Sequence, residues 1–139
     1  MTTDHLTARL RDGQELSDGQ RQQLNERIAR VLDPENRRGW FRRSCSVCQA
    51  PLPEQATPCY GDKPYMDYIG PDFLSPTDGE AQRMMREWLE SRNCSMKRYP
   101  GWTIISTQQN LPNNFNWTNI AKHHCHSTAL ALAVLRVGG

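Results

Sequence analysis

A chain of 139 residues with 17 basic and 15 acidic side chains, a formal net charge of +2 and a hydrophobic fraction of 37% has the size of one domain with one modest core. That balance excludes a global field for nucleic acid or an acidic membrane. No apolar run approaches the roughly 18 residues of a membrane span.

The start, Met-Thr-Thr-Asp-His-Leu-Thr, has neither the basic nor the apolar part of a signal peptide, so a cytoplasmic location is expected. Leu6 and Leu10 predict a short helix broken at Asp12-Gly13. Ser17-Asp18 is a start signal for a second helix, with Leu24, Ile28 and Val31 or Leu32 at helical spacing through Gln22–Leu32. Asp33-Pro34 ends it, because a residue before proline is pushed out of the helical region.

Residues 35–64 read as an irregular loop rich in arginine, cysteine and proline. Prolines at 51, 53, 58 and 64 bar a long helix or a central strand, and a loop of this length needs another source of order. Tyr65–Ile69 then reads as a short strand ended by Gly70-Pro71. Thr77-Asp78-Gly79-Glu80 has the capping-box form, followed by Ala81, Met84, Met85, Trp88 and Leu89 in one apolar stripe. Met96–Tyr99 and Trp102–Thr107 flank the turn Pro100-Gly101, and a turn at 110–116 leads to a third strand, Trp117–Ala121. Ser127 or Thr128 caps a closing helix that is apolar nearly all round.

These elements predict a single α+β domain over 1–139. A helical preface (1–34) and the Cys-rich loop (35–64) precede a helix–sheet–helix sandwich with a mainly antiparallel sheet (65–139). Glu80–Arg92 and Thr128–Val137 are the helices expected to cover that sheet.

Three constellations carry candidate chemistry. Cys45-x2-Cys48-x10-Cys59 offers thiolates at the spacing of a structural zinc site, with an imidazole such as His126 completing the set. The other readings of these thiols are ordinary reduced cysteines and, less in keeping with the prolines that follow, redox chemistry. His123-His124-Cys125-His126 is either a polar strand end, a donor of one zinc ligand, or a ligand-contacting group in which His124 takes part. Arg37, Arg38, Arg42 and Arg43 around Trp40 suit phosphate contact plus base stacking, or else form a solvated basic turn with Trp40 buried. Nucleophile-elbow, P-loop, dinucleotide, zincin and deaminase motifs are missing, so the reading leans away from an enzyme.

From about Pro71 onward, Pro71-Asp72-Phe73-Leu74-Ser75, Ala81 with Trp88, Pro100-Gly101-Trp102 and Thr128-Ala129-Leu130-Ala131-Leu132 together resemble the phage ABA-sandwich domain family. The Cys-rich loop and the His-His-Cys-His run depart from that pattern. The resemblance implies a helix–sheet–helix sandwich and a phage or prophage setting, and it transfers no catalytic residue. It makes a non-enzymatic accessory binding protein the leading expectation. In counter-defence such a protein would sequester a small nucleotide-type signal or block a host defence protein, alone or as a homo-oligomer. The alternatives are a zinc-stabilised nucleic-acid-binding accessory protein and a metal-dependent hydrolase.

Overall fold

A computed structural model describes residues 3–53, 55–111 and 114–138, with the side chains of 3 and 108–118 outside the description. Helix α1 (Thr3–Arg11) buries Leu6 and stops where Gly13 takes φ of +73°. Helix α2 (Asp18–Leu32) opens on a reciprocal cap. Gln20 N–H donates to Ser17 Oγ at 3.2 Å, and Ser17 N–H donates to Gln20 Oε1 at 3.0 Å. Its inward face is Leu24, Asn25, Ile28 and Ala29, and it ends at Asp33 as the proline requires.

The stretch after α2 is more ordered than its composition predicts. Asp33 accepts from the backbone N–H groups of Arg37 and Arg38 at 3.0 and 2.8 Å. Asn36, at φ of +54°, mimics a strand partner for Phe41, donating to its carbonyl at 2.9 Å and accepting from its N–H at 3.0 Å. That clamp starts strand β1 (Phe41–Ser44), which pairs antiparallel with β2 (Tyr65–Tyr68), Phe41 opposite Tyr68 and Ser44 opposite Tyr65. The segment from 35 to 64 is therefore not wholly irregular. The strand expected at Tyr65–Ile69 exists, in a separate two-stranded sheet.

Helix α3 (Gly79–Ser91) begins one residue later than its hydroxyl suggests. Asp78 is the cap, accepting from Ala81 N–H at 3.1 Å, while the N–H of Thr77 donates to Ser75 Oγ at 3.3 Å. The main sheet is a meander of β3 (Cys94–Tyr99), β4 (Trp102–Leu111) and β5 (Asn114–His123), in the order β3-β4-β5. Gly101, at φ of +81°, makes the first tight turn. The tip of the second, Pro112-Asn113, lies outside the described residues. The register slips between Ile105 and Ser106, so Ile120 of β5 has no Cα partner.

Helix α4 (His126–Gly138) buries every residue from Ser127 to Leu135. It touches β4 and β5 on one side and α1, α2 and α3 on the others. Gly138 lets its end close on α2, where a Cβ would meet Val31 Cγ1 at 2.2 Å. The α+β class, the antiparallel sheet, the helical preface and the Cys-rich loop are all as expected. The layers run from the sheet through α3 and α4 to α1 and α2. The inward face of the sheet includes Cys94, Thr103, Ile105, Ala121 and His123, all buried. No helix among the described residues is long and apolar enough to cross a membrane.

A polar knot ties α2 to the segment before α3. Asp72 accepts from Asn25 at 2.9 Å, Arg21 at 2.7 Å and Leu74 N–H at 3.1 Å, and Asn25 Oδ1 accepts from Phe73 N–H at 2.9 Å. Burial pushes the Asp72 carboxyl up, but the Asn25, Arg21 and Leu74 donors outweigh it and hold the carboxyl below its usual range. A carboxyl depressed on folding adds stability above its unfolded pKa of about 3.9, lost as pH falls through the folded value. Asp72→Asn is therefore expected to flatten the acid limb of a urea-stability profile below about pH 4, relative to wild type. An unchanged acid limb would mean that the knot carries no charge-dependent stability.

Candidate metal centre and open sheet face

The cysteine loop starts where β1 ends. Cys45 N–H donates to Ala50 O at 3.0 Å, and Gln49 N–H donates to Cys45 O at 2.9 Å with Gln49 at φ of +61°. The chain thereby turns back so that Leu52 N–H reaches Arg43 O at 2.9 Å. Arg43 then pins the outgoing segment, its guanidinium donating to the carbonyls of Pro53 at 3.2 Å and Ala56 at 3.0 Å. A single 3₁₀ turn, Cys59–Gly61, brings the third thiol alongside.

The Cys45, Cys48 and Cys59 sulfurs all lie within 4.8 Å of one another, close enough together to hold one metal ion. The Cys48 and Cys59 sulfurs are 3.7 Å apart. Tetrahedral ligation with metal–sulfur bonds of about 2.3 Å places sulfurs roughly 3.8 Å apart, a spacing that the Cys48–Cys59 pair already has. Cys45 is fully buried, and its sulfur accepts from the N–H groups of Val47 and Cys59 at 3.4 Å. Backbone donors from Cys48, Cys59 and Val47 bring its pKa down to about 6. Hydrogen bonds to the Cys48 and Cys45 sulfurs, with repulsion from both, push Cys59 up to about 11. One thiolate is thus ready-made, and metal entry would displace the Cys59 proton.

The fourth ligand expected from sequence stands elsewhere. His126 opens α4, its Nδ1 lying 3.2 Å from Thr103 Oγ1 on β4, and it is not in the sulfur group. Burial, then Arg98 and Arg86, lower its pKa. His123 is buried, with Nδ1 accepting from Cys125 N–H at 2.9 Å, and burial followed by His124 lowers its pKa too. The polar-strand-end alternative describes His123, which bonds locally, whereas His126 bonds across to β4. His124 is exposed and stacks on His123 at 4.2 Å.

The arginine run is not gathered into one site. Arg37 pairs with Glu35 at 2.5 Å, Arg42 with Asp67 at 3.4 Å, and Arg43 with the loop carbonyls. Arg38 lies over the Trp40 ring at 5.4 Å, while Trp40 packs edge-on against Phe73 at 5.4 Å. Adjacent residues on a strand point to opposite faces, and β1 separates Arg42 from Arg43 in this way.

The outward face of the main sheet is a site that motif reading missed. Tyr99 and Trp102 sit opposite each other across the β3–β4 turn and are 50% and 47% exposed. Beside them, Lys97, Ile104 and Lys122 lie in register across the three strands. Lys122 Nζ stands 4.8 Å from the Trp102 ring centroid, and the His124 ring approaches Trp102 edge-on at 6.5 Å. No carboxylate opposes these cations from within the sheet. All 15 Asp and Glu residues precede Ser91, whereas residues 91–139 hold Arg92, Lys97, Arg98, Lys122 and Arg136. That run without acids was visible in the sequence, but the near-neutral total of the whole chain conceals it. No protein-family model matches the chain, and no curated protein and no solved structure matches it, so the likeness to the phage ABA-sandwich family rests on its residues alone.

Proposed function

We propose that this protein is a non-enzymatic binding module for single-stranded nucleic acid, with its Cys45–Cys48–Cys59 loop held by structural zinc. The observation that carries this reading is the Tyr99–Trp102 pair, flanked by Lys97 and Lys122 on a sheet face free of acids. Exposed rings on a pleated face stack unpaired bases without regard to sequence, and neighbouring ammonium groups neutralise the phosphates between them. Three thiolates favour zinc over the harder cations, which prefer oxygen ligands. An overall charge near zero does not oppose this reading, because the relevant field is that of the face.

The test is fluorescence anisotropy with a labelled oligo(dT) of about twelve nucleotides, within the range one small module covers. Wild type is expected to bind, with binding weakening as salt rises by about 0.7 log units per log unit of salt for each phosphate neutralised. Trp102→Ala should cost roughly 5- to 150-fold in affinity, the equivalent of about 1–3 kcal/mol for one stacked base. Lys97→Ala and Lys122→Ala should each lower the salt slope by about 0.7. No binding at low salt, or binding indifferent to Trp102 and Tyr99, would overturn the reading. Displacement of the oligonucleotide by an equimolar cyclic or free nucleotide would instead favour capture of a small nucleotide signal.

A further inference from the structure

Beside the free edge of β5 lies a cleft of about 700 Å³, formed where α1, α2 and α4 meet that strand. Its floor is apolar, with Leu132 and Leu135 of α4 and Ala121 of β5. Its rim carries Arg11 of α1, Arg27 of α2, Lys122 of β5 and Arg136 of α4 against one carboxylate, Asp4. Arg136 is partly engaged, donating to the carbonyl of Ile120 at 3.2 Å, and Arg11 reaches the exposed Asp12 only at 3.9 Å. Among the described residues, no side chain pairs with Arg27.

No aromatic ring lines this cleft, so it offers a base nothing to stack on. Its chemistry is that of a charged, sugar–phosphate-like group, with guanidinium forks for phosphate oxygens and an apolar floor for the sugar. Lys122 belongs both to the cleft and to the stacking face, where its ammonium lies over Trp102. Asn119 likewise lines the cleft and lies opposite Ser106 in register on that face.

We infer that the cleft is a phosphate-binding extension of the sheet face, receiving the backbone of a single strand that runs off Tyr99 and Trp102 over the edge of β5. The inference rests on the nucleic-acid reading above and adds to it a direction and a length. The strand crosses from β3 towards β5, and a probe must be long enough to leave the sheet before it meets Arg27.

Two labelled oligo(dT) probes separate the two ideas, one of about four nucleotides, the lower limit for a single small module, and one of about twelve, well within its range. Wild type is expected to hold the longer probe more tightly and with a steeper salt dependence. Arg27→Ala and Arg11→Ala should each reduce the slope for the longer probe by about 0.7, leaving the shorter probe and the thermal melt unchanged. Arg27→Glu should have the larger effect. Arg83→Glu, the same charge reversal outside the cleft, should leave the slope for the longer probe as it is in wild type. If the short probe binds in a Trp102-dependent way but the long one binds no better, or ignores Arg27→Glu, the cleft inference falls and the stacking face stands. If neither probe binds wild-type protein, both fall.

Discussion

Leu130→Ala is expected to destabilise the protein by about 2.7–5 kcal/mol in urea titration, among the largest effects of any conservative truncation in the chain. Leu130 is fully buried in the middle of α4. It abuts a space bordered by Leu89 of α3, Cys94 and Met96 of β3, and Ile105 of β4. Cutting it to alanine leaves a cavity at the junction of three elements, and the cost scales with how little the walls relax. Here the walls are a paired sheet and a helix with its own capped start, so relaxation is small. Leu130→Met, which conserves volume, should cost less than about 1.5 kcal/mol. A loss below about 1 kcal/mol for alanine would show that α4 is not the keystone of the core.

Loss of the proposed zinc is the second large expected effect. Elemental analysis is expected to find one zinc per chain in wild type and none in Cys45→Ser, whereas Cys94→Ser and Cys125→Ser keep it. A metal joining Cys45 to Cys59 closes a loop of about 15 residues, for which loop entropy alone gives about 3 kcal/mol, or roughly 10 °C in melting temperature. Proton linkage gives a further signature. Above about pH 6 Cys45 is already a thiolate, while Cys59 keeps its proton to about pH 11. Binding by the three sulfurs therefore releases at least the Cys59 proton, and zinc affinity should rise by at least about tenfold per pH unit between pH 7 and 8 in competition with a chelator. Protein with no zinc, and with a melt unaffected by Cys45→Ser, would leave the three thiols as ordinary reduced cysteines.

What could be read from the sequence was what local chemistry decides. Ser17, Pro34 and the stripe from Ala81 to Leu89 mark helices by capping, backbone restriction and periodicity, and Pro100-Gly101 marks a hairpin by turn geometry. Thr77 misleads by one position because the longer Asp78 carboxylate reaches the helix first. Strand β1 is concealed because Phe-Arg-Arg-Ser has no alternation, and a distant β2 and the Asn36 side chain hold it extended. The CxxC spacing betrays the thiol cluster because two of its sulfurs share one turn. His126 could not be placed beside them, since 66 residues of chain separate it from Cys59 and only the tertiary fold sets that distance. The exposed Tyr99–Trp102 face was beyond reach for a related reason. Cross-strand register, not sequence adjacency, brings Lys97 and Lys122 to the same rings.

Helix α4 follows in the chain every element it packs against. A nascent polypeptide emerging from the ribosome would therefore expose the apolar sides of α1, α2, α3 and the hairpins together, with nothing to close them, until α4 had cleared the exit tunnel. Synthesis would pass through a stage in which a whole set of sticky surfaces awaits one plug, the circumstance in which chains aggregate or recruit chaperones. Contacts spanning this much sequence also slow folding, since long loops must close before any burial rewards them. The arrangement makes completion of α4 the commitment step, and a ribosome stalled within it would leave every earlier element made and the core unclosed.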